Sequence, residues 1–471
     1  MQKNLFLIIL FCFLKFTLYA QEMDSTARLF IQEIKIEGNH ITSKRLIFRE
    51  LAFKINEYIN RKDIESIKQT SINNLNKIAL FNFIEIITTE KPDGMLFVNV
   101  KLTERWFIWP TAYLNHTDRN FSEWWRTKDL DKLEYGIGLR VNNFRGMGET
   151  LELRYHTGSL TKYEFEYTGI HLDKAERHLL SLKTTYLEQR NIAWIIKSNK
   201  QVFVKSENDL FSSKLFALKY TYRKKYFNSH SVSFGFTDYR IADTIKSLNP
   251  YFFGLNNQRQ RYFNIEYDFT HDTRDSHFYP KTGILIVASI NKKGLGILPN
   301  EYNSTDLYFQ LFAYRKLIDR FYAASGILYS SQSNKDSVFF SQNGLGYMQF
   351  VRGYEYYVTN GDRAMLFKSL LKFELLPMKV VNLKFWPIRK VHQFNRVPIE
   401  IYTNVFFDAG YVYDKSNMYK QFNNTLVNKM MFSTGVGIDF ITYYDKILRF
   451  DYSFNAMGES GFFIHWKAAI R

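Results

Sequence analysis

Runs in which apolar and polar residues alternate one for one constrain this chain more than any other feature. In LRFDYSFNAM, Leu448, Phe450, Tyr452 and Phe454 fall on one face of an extended strand, and Arg449, Asp451, Ser453 and Asn455 on the other. SVSFGFTDY sets Val232, Phe234 and Phe236 against Ser231, Ser233 and Gly235, and ETLELRYHTG sets Leu151, Leu153 and Tyr155 against Thr150, Glu152 and Arg154. Successive side chains on a strand point to opposite faces, so each run predicts a strand with one apolar and one polar face.

Two architectures use such strands. A soluble sandwich buries the apolar face and builds on strands of about five or six residues. A transmembrane barrel turns that face to lipid, needs about 9 to 11 residues per strand and carries aromatic girdles at both interfaces. The long runs and the supply of 44 Phe, 32 Tyr and 7 Trp favour the barrel.

The first residues, MQKNLFLIILFCFLKFTLYAQ, place Lys3 before an apolar run from Leu5 to Leu14 and offer the small Ala20 before cleavage. That is the pattern of a secretory signal over 1–20, with a short linker over 21–29. Its apolar run is too short for a membrane helix, and no later stretch approaches the roughly 20 apolar residues one needs. The single cysteine, Cys12, lies inside the signal. The exported chain is therefore expected to be thiol-free, which suits an oxidising compartment and removes cysteine catalysis and zinc–thiolate sites.

A net charge of +17 would suit nucleic acid in a cytoplasmic protein. Export excludes that partner, so Arg223, Lys224 and Lys225 in YTYRKKYF read as a solvated face or as contacts with anionic lipid head groups.

The segment 30–104 breaks the alternation. FIQEIKIEGNHIT reads as a strand ending in a Gly-Asn turn, and Ser43 can cap a helix over SKRLIFREL. A second helix follows, with Ile64, Ile67, Ile72, Leu75 and Leu80 at roughly helical spacing. NFIEIITTE and MLFVNVKLTER then form two strands about a Pro92-Asp93-Gly94 turn. Strand, helix, helix, strand, strand is enough for one small α+β domain.

That order, with IKIEGN opening it and ALFNFIEI leading into the second strand, resembles a POTRA domain, the periplasmic module of the BamA/TamA-like outer-membrane assembly proteins. The resemblance implies a mostly β protein: signal peptide, POTRA domain over 30–104, and a sixteen-stranded antiparallel barrel over 105–471. It extends to VRGY, Val351 to Tyr354, which matches the family's signature loop folded back into the barrel. Val351, Arg352, Gly353 and Tyr354 are then the loop motif, and the implied partners of Arg352 are Glu374 in LKFELLP and Asp408 in VFFDAGYVYD. Phe406, Asp408 and Gly410 fit the family pattern Phe-x-Asp-x-Gly. The chemistry is consistent with this, since a guanidinium in a partly dehydrated lumen needs a carboxylate in fork geometry. Gly353 permits close backbone approach or a positive φ.

In THDTRDSHFYPKTG, Asp272, Arg274, Asp275, Pro280 and Gly283 resemble the family's recurrent strand-end and turn pattern. A competing metal reading would use His271, Asp275 and His277; a structural role is the simpler one, and neither a metal nor a cofactor is expected. No Gly-x-Ser-x-Gly elbow, His-Glu-x-x-His or Gly-rich phosphate loop occurs, so no enzyme activity is expected.

The resemblance implies insertion of other outer-membrane proteins, or their export. Unfolded clients would pair with a POTRA edge by β-augmentation and pass through a barrel seam. The seam is expected where Trp106–Thr117 and Gly461–Arg471 pair antiparallel. Implied partners are unfolded outer-membrane clients, outer-membrane lipid and periplasmic accessory proteins, with the POTRA domain in the periplasm of a Gram-negative cell. A passive channel or anchoring barrel is the alternative, and a barrel enzyme a remoter third.

Overall fold

The computed structural model describes residues 27–116, 133–173, 175, 177–225, 227–334, 338–383, 394–415, 421–442 and 446–466. The expected signal, 1–20, and most of the expected linker lie outside the described residues, as does 467–471 in the expected last strand.

The N-terminal unit runs β1 (Arg28–Glu37), α1 (Lys44–Glu50), β2 (Tyr58–Asn60), α2 (Ile64–Lys77), β3 (Phe81–Glu90) and β4 (Met95–Glu104). Ser43 caps α1, its hydroxyl accepting the Arg45 N–H at 3.2 Å. The sheet order is β2-β1-β4-β3, with β1 and β4 parallel and β3 antiparallel to β4. The short edge strand β2 carried no legible alternation in the sequence. Leu46 and Ile47 of α1 and Leu75 of α2 pack with Ile31, Val98 and Val100 of the sheet, while Ile64, Ile67 and Ile72 line the border of that core.

The barrel sheet opens with β5 (Ile108–His116), β6 (Leu133–Phe144), β7 (Glu149–Gly158), β8 (Leu160–His171) and β9 (His178–Gln189). A separate hairpin, β10 (Asn191–Lys197) and β11 (Lys200–Lys205), interrupts it. Then come β12 (Phe211–Lys225), β13 (Asn228–Ile241), the short α3 (Asp243–Leu248), β14 (Arg259–Asp272), β15 (Gly283–Lys293), β16 (Ser304–Ile318) and β17 (Phe321–Asn334). A small hairpin, β18 (Asn343–Leu345) and β19 (Thr359–Gly361), frames the VRGY loop. The sheet closes with β20 (Arg363–Asn382), β21 (Arg396–Tyr413), β22 (Met430–Thr442), β23 (Lys446–Asn455) and β24 (Ser460–Trp466). These sixteen barrel strands neighbour one another in chain order, every pair antiparallel.

The alternation is resolved with its faces inverted relative to a soluble sheet. Tyr452 and Phe454 are 42% and 52% exposed, whereas Asp451 and Ser453 on the opposite face are 0% and 1% exposed. An apolar face turned outward and a polar face turned inward is the arrangement of a barrel standing in lipid.

The N-terminal domain docks on the barrel end where β5 begins. The Ser43 N–H donates to Gly146 O at 2.9 Å, and the Asn143 amide donates to Thr42 Oγ1 at 2.8 Å. Gly146 has φ +72°, and a Cβ there would lie 2.3 Å from Ile41 O, so this turn needs glycine twice over. Farther round, Arg223 lies 3.7 Å from Glu50, Lys77 Nζ donates to Asp272 O at 3.2 Å, and Arg396 stacks over Phe83 at 4.2 Å. Burial pushes the Lys77 ammonium below its ordinary pKa.

The expected seam differs. β5 begins at Ile108 instead of Trp106, and β24 begins at Ser460. Among the described residues no ladder joins β5 to β24: each pairs on one side only, with β6 and β23 respectively. Pro110 lies in β5 opposite Leu139 of β6, and as a proline it brings no N–H to either edge.

Candidate functional site

A 28-residue connection between β17 and β20 would lie outside an ordinary barrel; here it turns inward. Val351, Arg352 and Tyr354 are all buried. Arg352 meets Asp408 in a fork, Nε to Oδ2 at 2.8 Å and Nη2 to Oδ1 at 2.6 Å, and its own N–H reaches Oδ2 at 3.2 Å. Its guanidinium lies 3.7 Å from the centroid of Phe406, and Nη2 also donates to Ser369 O at 3.4 Å. Two charges removed from water need this quality of geometry to offset their desolvation.

The period of two explains why three alternate residues of β21 serve the loop. Phe406, Asp408 and Gly410 share the inner face. Phe406 supports the guanidinium, Asp408 binds it, and Gly410 leaves space for Val351, since a Cβ on Gly410 would stand 2.4 Å from Val351 Cγ2 and 2.7 Å from Leu345 Cδ1. Gly353 takes φ +83°. Its carbonyl accepts Asn455 Nδ2 at 2.8 Å, and Tyr354 Oη accepts the Ala456 N–H at 3.2 Å. The loop also reaches the last strand: Tyr356 packs at a tilt on Phe463 at 5.4 Å, Phe350 stacks on His465 at 5.5 Å, and His465 Nε2 lies 3.4 Å from Glu355.

Glu374 is not a partner of Arg352, contrary to the sequence expectation. Asp408 stands opposite Lys368 in the β20–β21 ladder, whereas Glu374 stands opposite Tyr402. Six residues of strand separate the two rungs, about 20 Å at the rise of a β-strand. Glu374 instead accepts the Tyr402 hydroxyl at 2.7 Å and lies 3.4 Å from Lys281.

Lys281 belongs to the turn carrying the second sequence motif, and this turn also folds inward, from the end nearer the N-terminal domain. Asp272 holds Arg274 in a fork, Nε at 2.9 Å and Nη2 at 2.7 Å. Asp275 Oδ1 accepts the N–H groups of Ser276, Lys281 and Thr282 at 2.9, 2.9 and 3.3 Å, which shapes the turn. Gly283 sits at φ +104°, where a Cβ would lie 2.5 Å from Thr273 O. So formed, the turn sends the Tyr279 hydroxyl to Asp439 Oδ2 at 2.7 Å, Pro280 O to Lys372 Nζ at 3.2 Å, and Lys281 Nζ to Glu400 at 2.9 Å. Arg449 completes it, with Nε 2.6 Å from Asp439 Oδ1.

The suggested metal ligands do not converge. His271 Nδ1 pairs with Asn228 at 2.6 Å, Asp275 is engaged by backbone N–H groups, and His277 lies 3.8 Å from Asp272. Among the described residues no group of three His, Cys, Asp or Glu side chains is placed to hold a metal.

Tyr279, Lys281, Lys372, Tyr402, Asp439 and Arg449 were not singled out by sequence reasoning. A signal was present: Asp439 and Arg449 are charges on the polar faces of alternating strands, and they stand directly opposite one another in the β22–β23 ladder.

A family model described as the Omp85 superfamily domain matches residues 143–461, and a POTRA model described as the surface antigen variable number repeat matches residues 29–105. No curated protein sequence matches the chain. Among solved structures, BamA from Haemophilus ducreyi lacking POTRA domains 1–3 is similar at 16% identity, over 93% of this chain and 83% of that one, with a TM-score of 0.50. CdiB from Escherichia coli is similar at 11% identity, over 93% and 75% of the two chains, with a TM-score of 0.53. At such identities the likeness establishes the fold alone. A POTRA domain ahead of an Omp85 barrel implies a Gram-negative outer membrane with the POTRA domain in the periplasm. The chain thus belongs to the Omp85 superfamily, as a BamA/TamA-like outer-membrane β-barrel protein of protein assembly and transport.

Proposed function

We propose that this protein inserts or exports outer-membrane proteins, receiving them as unfolded chains on its POTRA edge and templating their strands at the junction of β5 and β24. The observation that carries this reading is the unladdered pair of terminal strands, whose outer edges carry backbone N–H and C=O groups among the described residues. Unpaired strand edges are ready templates for another chain. The POTRA strand β3 is a second such edge, ten residues long and laddered to β4 alone among the described residues.

The same geometry supports assembly over passive conduction. Arg352 on Asp408 and Tyr279 on Asp439 brace the lumen from its two ends. On the outer side the β10–β11 hairpin reaches over the loop: Asn199 O accepts the Val358 N–H at 2.8 Å, and the Asn199 N–H donates to Asn424 Oδ1 at 2.7 Å. A free aqueous path needs none of these contacts. The inward loop also touches β24, so client entry at that strand and the state of the loop are mechanically linked. No bond chemistry enters this reading, and the protein acts without a cofactor.

Depletion of the protein followed by quantitation of the outer-membrane proteome tests the proposal. Selective loss of other barrels is expected. Unchanged barrels with altered solute permeability would favour the channel.

A further inference from the structure

The outer surface of β9, β12, β13 and β14 carries a repeated feature at the POTRA-side end. His178 Nδ1 is 2.5 Å from the Tyr220 hydroxyl, and His230 Nδ1 is 2.8 Å from the Tyr267 hydroxyl. In each pair a histidine on one strand meets a tyrosine on the next, two rungs farther into the membrane. In the tautomer that carries its proton on Nε2, the tyrosine hydroxyl donates to Nδ1 and the imidazole offers an N–H at the level where the barrel leaves the hydrocarbon.

Beside the first pair lies a shallow recess of about 630 Å³, lined by Asp173, Ala175, Arg177, His178, Tyr220 and Tyr222. Asp173 is committed to the turn itself, since its Oδ1 accepts the N–H groups of Arg177 and His178 at 2.9 Å each. The His178 ring packs against Tyr220 and Tyr222, with centroids 5.9 and 5.2 Å away. Deeper in the membrane the register sets Leu180 beside Tyr220 and Leu182 beside Leu218, and Phe216 and Leu218 stand exposed on the outer face. The site therefore combines a guanidinium, an imidazole N–H and phenol hydroxyls at its base with an apolar column above. That is the division of a phospholipid into phosphate and acyl chain.

We propose that this recess binds the phosphate of one phospholipid from the periplasmic leaflet, with Arg177 and His178 on the phosphate and an acyl chain along Leu180, Leu182 and Leu218. The proposal rests on the reading of this face as membrane-embedded, and it places a bound lipid next to the POTRA docking point, where Arg223 approaches Glu50.

Native mass spectrometry of the detergent-purified full-length exported protein tests the site, using phosphatidylglycerol, diacylglycerol and inorganic phosphate as separate probes. Wild-type protein should retain phosphatidylglycerol over diacylglycerol. Arg177→Gln combined with His178→Gln should retain about tenfold less, as expected when charge-assisted hydrogen bonds are lost. Lys214→Gln, at the far end of the same column, should retain as much as wild type. Because Arg177 lies in an exposed turn, Arg177→Glu is a second variant that leaves the packed core untouched. Equal retention by either folded variant would overturn the site, and so would displacement of the lipid by an equal concentration of inorganic phosphate. Failure of the membrane reading is distinguishable, because wild-type protein would then be extracted without detergent.

Discussion

Asp408 and Gly410, two residues apart on the inner face of β21, seat the inward loop together: one receives the Arg352 fork at 2.6 and 2.8 Å, the other vacates the volume that Val351 fills. The first is an electrostatic requirement and the second a steric one, so they can be tested separately.

Arg352→Ala leaves Asp408 buried without its fork, and breaking one side of a buried pair costs on the order of 3 to 5 kcal/mol. The temperature at which the folded, fast-migrating band is lost on unheated gels should fall by many degrees. Arg190→Ala, which removes an arginine 55% exposed beside Asp209, should leave it within a degree or two, as expected for a surface pair worth roughly 0 to 1 kcal/mol. Equal behaviour of the two variants would refute the inward seating of Arg352.

Gly410→Ala should destabilise the barrel by about 1 to 3 kcal/mol, because the added methyl meets the Val351 and Leu345 side chains. Val351→Ala in the same protein should recover part of that loss. A double-mutant cycle read by heat-dependent gel mobility measures the coupling, and strict additivity would separate the two positions.

Tyr279→Phe removes one hydrogen bond from Asp439 while Arg449 remains, a change of about 0.5 to 1.5 kcal/mol. Combining Tyr279→Ala with Lys281→Ala withdraws the turn from Asp439, Glu374 and Glu400. Planar-bilayer conductance should then rise above that of wild type. Unchanged conductance would mean that the turn does not obstruct the lumen.

The native chain should fractionate with outer membranes and migrate faster when unheated than when boiled, because a barrel resists detergent until its strands separate. Recovery as a soluble periplasmic protein is the result that excludes the membrane barrel.

Much of the architecture was legible because it is written locally. Alternation in segments such as Leu448–Asn455 reports strand faces directly, and the helical spacing of Ile64 to Leu75 with the Ser43 cap reports the small α+β unit, although the helix ends at Lys77 and leaves Leu80 outside it. The Phe406-x-Asp408-x-Gly410 spacing also announces its shared face, since period two places all three inward. What could not be read was which inward residues meet across the lumen. Glu374 looked equivalent to Asp408, yet the register sets it about 20 Å farther along the strand, beside Tyr402 and Lys281. Tyr279 reaches Asp439 only because Asp272, Asp275 and Gly283 bend their turn into the barrel. Nor could the sequence show whether the terminal strands form a ladder, since closure depends on the stagger accumulated around all sixteen strands. Faces follow from neighbouring residues, whereas partners follow from register and closure, which exist only in the assembled barrel.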